Sequence, residues 1–170
     1  MKTTLRHFLP LLSLALAVRA DEGHGTRFRA DLVGTEETPS IFTTGTGRFT
    51  ARTFDDDTRL EFTLTYANLT AAPLFAHVHF GQRHVAGGVS FFFCGGGGKP
   101  PCPASTSGTV TGTVVAADVL GPTAQGIQHG DLAGILKMMR AGFGYANIHT
   151  PLHPAGEIRG QIKARSDDDD

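Results

Sequence analysis

The chain has 170 residues, of which 40% are hydrophobic, and its 15 basic and 16 acidic residues give a formal net charge of −1. This length suits one domain with a core of its own. The sequence shows no run of basic residues of the kind that nucleic-acid binding requires, so we expect no nucleic-acid partner.

Residues 1–20 are predicted to form a secretory signal peptide. Lys2 and Arg6 lead into an apolar stretch over 8–18, and small residues suit cleavage after Ala20. The stretch is shorter than the roughly 20 apolar residues that cross a bilayer as a helix, so a retained membrane anchor is the weaker alternative. We expect a secreted, extracellular protein with no membrane span, in which 12 basic residues (15 − 3) face 16 acidic ones.

Alternation of apolar and polar residues predicts about eight antiparallel strands within 21–165. It is clearest in "FRADLV" at 28–33, "RLEFTLTY" at 59–66 and "GTVTGTVV" at 108–115. Glycine and aspartate turn signals, such as "TTGTG" and "FDDDT", lie between predicted strands. The pattern favours an all-β fold, and we expect a β-sandwich domain over 21–165.

Both cysteines lie in "CGGGGKPPC", at Cys94 and Cys102. An exported chain favours a disulfide between them, which would order the glycine-rich loop. The sequence Asn68-Leu69-Thr70 has the form of an N-glycosylation site. The tail over 166–170 carries four consecutive aspartates and is expected to be disordered, because like charges repel one another.

One segment, "GDLAGILKMMRAG" at 130–142, has helical rather than strand periodicity. Asp131 is placed to cap the start of a short helix, and Gly142 to end it. The apolar residues recur on one face, which we interpret as a packing surface: Leu132, Ile135, Leu136 and Met139. The helix is therefore predicted before the last pair of strands.

Two histidines, His77 and His79, lie one residue apart in "LFAHVHF" at 74–80. On a strand they share one face, and the opposite face is apolar and turned to the core: Leu74, Ala76, Val78 and Phe80. Later strands follow the same rule. We expect "GYANIHT" to turn Tyr145, Asn147 and His149 away from the core, and "AGEIRGQI" to do the same with Glu157, Arg159 and Gln161.

If these strands are neighbours, His77, His79 and His149 converge on the outer face of one sheet and form a candidate surface metal site. Imidazole ligands without a carboxylate or thiolate suit copper better than structural zinc, which completes a tetrahedron. His153 is the nearest candidate for a fourth ligand. The alternative is that His77 and His79 lie on a solvated strand face and bind nothing. Two other histidines fall on predicted loops and are expected to be solvated: His84 and His129.

The chain resembles the CHRD family, the module first described in chordin. The resemblance rests on "FRADLVGTEETP", "LTYANLTAAPLFAHVHFG", "GDLAGIL" and "GYANIHTPLHPAGEIRGQI", which follow the order of the family over 28–162. It implies an Ig-like β-sandwich. It also implies an extracellular binding or matrix-associated module with an unknown protein or matrix partner, since the family has no general catalytic signature.

A more local resemblance connects "FAHVHFG" to the copper strand of copper/zinc superoxide dismutases, which are Greek-key β-sandwiches. It implies that His77 and His79 are copper ligands, that His149 is a further ligand and that Arg159 guides an anionic substrate. The bridging histidine and the zinc ligands of that family have no counterparts here. A copper-binding redox protein is therefore the alternative function, and whether the chain is an enzyme stays open.

Overall fold

The computed structural model describes residues 25–54 and 56–165, so the expected signal peptide, 1–20, and acidic tail, 166–170, lie outside the described residues. Within these residues there are nine strands: β1 Arg27–Val33, β2 Thr46–Phe54, β3 Arg59–Ala67, β4 Phe75–Phe80, β5 Gly88–Cys94, β6 Gly108–Val114, β7 Gly144–His149, β8 Ile158–Gln161 and β9 Lys163–Arg165. Helix α1 spans Leu132–Arg140, and there are short 3-10 turns at Gly34–Glu36, Ala116–Asp118 and Thr123–Gln125.

The strands form one sheet in the order β5-β4-β7-β8-β1-β2-β3-β6, and β9 pairs with β1. The described pairings are antiparallel. Because the end strands β5 and β6 contact each other, the sheet curls into a nearly closed barrel. The antiparallel β fold with one short helix is confirmed. The Ig-like or Greek-key sandwich is not confirmed, since alternation sets the face that each residue takes and not where a sheet bends or divides.

The core lies inside this curled sheet and follows the alternation that the sequence predicts. On β1 the buried residues are Phe28, Ala30 and Leu32, and on β3 they are Leu60, Phe62, Leu64 and Tyr66. Rings from β2, β3 and β5 contact one another at its centre, where Phe93 lies 5.1 Å from Phe49 and 4.8 Å from Phe62 between centroids. The interior is thus mainly apolar, with Thr53 of β2 as a buried polar residue.

Helix α1 packs against β7 and β9 through the predicted apolar stripe, whose members are buried: Leu132, Ile135, Leu136 and Met139. The Asp131 carboxylate accepts a hydrogen bond of 2.8 Å from the backbone N–H of Gly134 and so caps the first turn. Gly142, with φ of +79°, follows the last turn in a conformation that glycine adopts readily. Both predicted ends of the helix are confirmed.

The disulfide between Cys94 and Cys102 is confirmed, with their Cα atoms 4.9 Å apart. It joins the end of β5 to the glycine-rich loop that follows. One core assignment on β4 is wrong, because Leu74 is 45% exposed. The strand begins at Phe75, so Leu74 belongs to the preceding loop and is outside the alternation.

Candidate metal centre

The candidate metal site lies on the outer face of the sheet, where β4 pairs with β7. Antiparallel pairing places Phe75 opposite His149, His77 opposite Asn147, and His79 opposite Tyr145. Side chains of directly opposite residues share a face, so one register brings all three histidines to the same side of the sheet. The core side of β4 is occupied by Ala76 and Val78, each 1% exposed.

The three imidazole rings form a compact group. The ring centroid of His77 lies 4.4 Å from that of His79 and 4.7 Å from that of His149, and His79 and His149 are 6.4 Å apart. Each ring offers one nitrogen that lies within 4.8 Å of the nitrogens offered by the other two. The arrangement therefore presents three donor atoms to one small volume.

Hydrogen bonds define the protonation of two of the rings. His79 Nδ1 lies 2.8 Å from the carbonyl oxygen of Gly87, and His149 Nδ1 lies 3.0 Å from that of Pro154. Because a carbonyl oxygen only accepts, each Nδ1 carries the hydrogen and each Nε2 keeps a lone pair. Those two Nε2 atoms and His77 Nδ1 are buried without a hydrogen-bond partner among the described residues.

Burial keeps these rings neutral. Loss of solvent, reinforced by the neighbouring imidazoles, lowers the pKa of His77 to about 2. Burial also lowers the pKa of His79 to about 4 and moves the pKa of His149 below its ordinary value. Metal ions bind the neutral form of imidazole, so no proton has to leave these rings at neutral pH before an ion enters.

The expectation of a surface site is wrong, because His77 is 3% exposed and His149 is 7% exposed. Chain segments outside the sheet cover the outer face of β4, β7 and β8. Glu37 follows the 3-10 turn after β1, lies buried, and accepts a hydrogen bond of 2.5 Å from Asn147 Nδ2. Strand alternation states that a side chain leaves the core and does not reveal that a distant loop lies over it.

Arg159 lies on the same face but is only 2% exposed, and its guanidinium group contacts other parts of the chain. Its Nη2 donates to the carbonyl oxygens of Gln82 at 2.8 Å and Val85 at 3.1 Å. The guanidinium carbon lies 3.5 Å from the ring centroid of Tyr145, and the same tyrosine ring stacks on His79 at 4.6 Å. This position ties two loop carbonyls to the sheet and does not match the exposed arginine that guidance of an anion from solvent requires.

A family model for the CHRD domain matches residues 28–162. The chain belongs to the CHRD family. Comparisons with curated proteins and with solved structures give no match. The CHRD domain and the Cys94–Cys102 disulfide fit an extracellular protein. Among the described residues, no helix has the length and apolar character needed to cross a membrane.

Sequence reasoning missed two features of this CHRD site. The first is its apolar wall: the ring of Phe75 stacks on His77 at 5.5 Å, and Phe92 meets His77 edge-on at 4.8 Å. Strand alternation places Phe75 on the same face as the histidines, so the sequence pattern could have predicted this contact. The second is Glu37, whose pKa burial raises to about 7. No periodicity marks Glu37, because it lies in an irregular segment that reaches the face only through the tertiary fold.

Three further histidines among the described residues lie outside the cluster. His153, the candidate fourth ligand, is not part of the group of three and makes backbone hydrogen bonds with Thr150 in the loop between β7 and β8. His84 and His129 are exposed, as expected from their positions on loops. The described residues thus gather three histidines rather than four.

Proposed function

We propose that this chain is an extracellular CHRD module that holds one copper ion between His77, His79 and His149. A single observation carries the proposal: each of the three rings has a buried nitrogen without a hydrogen-bond partner, and the rings offer nitrogens within 4.8 Å of one another. A bound ion would use the Nε2 lone pairs of His79 and His149 together with one ring nitrogen of His77, and the loops that cover the face would enclose it.

The competing interpretation is that the histidines only pack against their aromatic neighbours. Packing alone leaves three polar atoms without partners, each at a cost of about 1–3 kcal/mol. The hydrogen bonds of His79 and His149 to carbonyl oxygens also support a metal site. A metal-ligating histidine typically donates its second ring N–H to a carbonyl or carboxylate, which fixes both tautomer and ring orientation.

We propose copper as the metal, although three imidazoles also suit zinc that keeps an open position. The group consists of three neutral imidazoles, with no carboxylate or thiolate among its members, and imidazole is a good copper ligand. Structural zinc takes four protein ligands in a tetrahedron. Metal–nitrogen distances of about 2.0–2.1 Å bring the widest nitrogen pair together by roughly 1 Å on binding, a movement within the reach of side-chain rotation.

Metal competition tests the proposal. Metal-free protein is offered equal amounts of copper and zinc, passed through a desalting column and analysed for both metals. We expect one copper per chain in the wild type and none in His79→Ala. The control, His129→Ala, removes an exposed histidine outside the cluster and should keep its copper. Zinc in place of copper, no metal in the wild type, or equal loss in the control would overturn the proposal.

Secretion is tested on the complete chain expressed in a eukaryotic secreting cell. The CHRD domain and the disulfide support an extracellular location. We expect the protein in the medium with Asp21 as its first residue, as the predicted cleavage after Ala20 requires. Protein that stays in the cell with residues 1–20 attached would contradict this part of the proposal.

A further inference from the structure

The outer face of β9, β1 and β2 gathers basic side chains that are far apart in the sequence. Strand pairing places Arg27 opposite both Arg165 and Arg52, and it places Arg29 opposite Lys163. Arg48 extends the same face along β2. The basic face therefore has six members: Arg27, Arg29, Arg48, Arg52, Lys163 and Arg165. No basic run appears in the sequence because these residues meet only when three strands pair.

This concentration of charge opposes stability. Like charges directly opposite one another on neighbouring strands destabilise a sheet. The six residues are half of the 12 basic residues (15 − 3) that follow the predicted signal peptide. Across the described residues of these three strands, Asp31 is the one acidic residue, and it accepts hydrogen bonds from Arg29 at 2.9 Å and Arg48 at 2.8 Å. On the neighbouring strand β3, Glu61 lies opposite Arg52, and basic side chains still outnumber acidic ones on this face.

The basic face continues into a groove of about 440 Å³. Four cations from separate parts of the chain line it, together with Gln161: Arg29, Arg83, Lys163 and Arg165. Its two carboxylates pair with two of these cations, Asp31 with Arg29 and Glu36 with Arg83, so the groove carries an excess of two positive charges. The groove and the flat face together offer an extended cationic surface to a chain-like anion.

We propose that the basic face binds a sulfated glycan, which rests on the extracellular location proposed above and gives the module its matrix partner. Sulfate groups spaced along a polysaccharide complement a row of arginine and lysine side chains, because guanidinium binds such oxyanions through paired hydrogen bonds. Association of this kind is electrostatic and weakens as salt rises.

Features of the face favour a glycan over nucleic acid or a membrane. Binding of single-stranded nucleic acid uses open aromatic rings for base stacking. Phe54 is an aromatic residue beside this face. The guanidinium carbons of Arg52 and Arg59 lie over its ring, 5.4 and 5.0 Å from the ring centroid. Interfacial membrane binding uses exposed apolar side chains. Among the described residues, the large exposed ones lie outside β1, β2 and β9: Phe42, Leu74, Val85, Val115, Leu120, Phe143 and Leu152.

Binding of a heparin octasaccharide to the purified, metal-free chain tests the proposal, measured by calorimetry in 0.15 M salt. The variant K163Q/R165Q removes two charges from the face and should bind roughly tenfold more weakly, from two lost ion pairs. The control K137Q removes an exposed charge on α1 and should bind as the wild type does. Absence of binding, equal weakening in the control, or tighter binding of a DNA duplex or of phosphatidylserine vesicles would overturn it.

The result is separable from the proposed function, because the assay needs neither copper nor secretion. A protein that is secreted with its copper but ignores heparin would overturn the glycan proposal alone. A protein that binds heparin through Lys163 and Arg165 but stays inside the cell would support the surface and overturn the extracellular function.

Discussion

Replacing His77 with glutamine should make the metal-free protein less sensitive to acid. Burial lowers the pKa of His77 from 6.5 to about 2 in the folded state. Below pH 6.5 His77 therefore binds a proton in the unfolded chain but stays neutral in the folded chain. The free energy of unfolding falls as pH falls. Each pH unit in this window is worth about 1.4 kcal/mol. Between pH 7 and 4.5 the wild type should lose about 2.5 kcal/mol relative to His77→Gln.

Urea denaturation of both proteins at several pH values, with a chelator present, measures this difference. The other titrating groups, including His79 with its pKa of about 4, remain in both proteins, so their contributions cancel to first order. The control His129→Gln replaces an exposed histidine and should follow the wild type. Parallel curves for wild type and His77→Gln would refute the claim that this ring is buried in its neutral form.

Three other variants have defined outcomes. Glu37→Gln should show the opposite pH dependence. Burial raises the pKa of Glu37 from 4.5 to about 7. Between pH 7 and 4.5 the free energy of unfolding of the wild type should therefore rise by about 2.5 kcal/mol relative to that of Glu37→Gln, as measured by urea denaturation. Gly156→Ala should cost about 1–3 kcal/mol in the same assay, because a Cβ at φ of +130° would lie 2.6 Å from the Glu37 carboxylate. The double substitution of Lys163 and Arg165 by glutamine should raise the melting temperature by about 2–4 °C at low salt by relieving cross-strand repulsion, and calorimetry should show the gain disappear at about 1 M salt.

The sequence predicted local features of the fold well where one physical rule decides them. Apolar alternation identified the core sides of β1 and β3, and helical spacing with Asp131 and Gly142 identified α1 and both of its ends. The closure of the sheet could not be predicted from the sequence, because it depends on contact between β5 and β6, which no local pattern encodes.

The candidate metal site was also predicted only in part. Alternation placed His77, His79 and His149 on the side away from the core, and pairing of β4 with β7 brings them together. Their burial was missed, since the covering residue Glu37 comes from an irregular segment far away in the chain. The basic face was missed for a related reason, as its cations come from three strands that are adjacent only in the folded sheet.

X-ray absorption at the copper edge tests the central claim most directly, because it counts the ligands of the bound ion. The copper-loaded wild type should show three imidazole nitrogens at about 2.0 Å. His149→Gln should lose one of these imidazoles, whereas His153→Gln should leave the spectrum unchanged. Fewer than three imidazoles in the wild type, or a spectrum that His149→Gln does not change, would contradict the assignment of His77, His79 and His149 as the copper ligands.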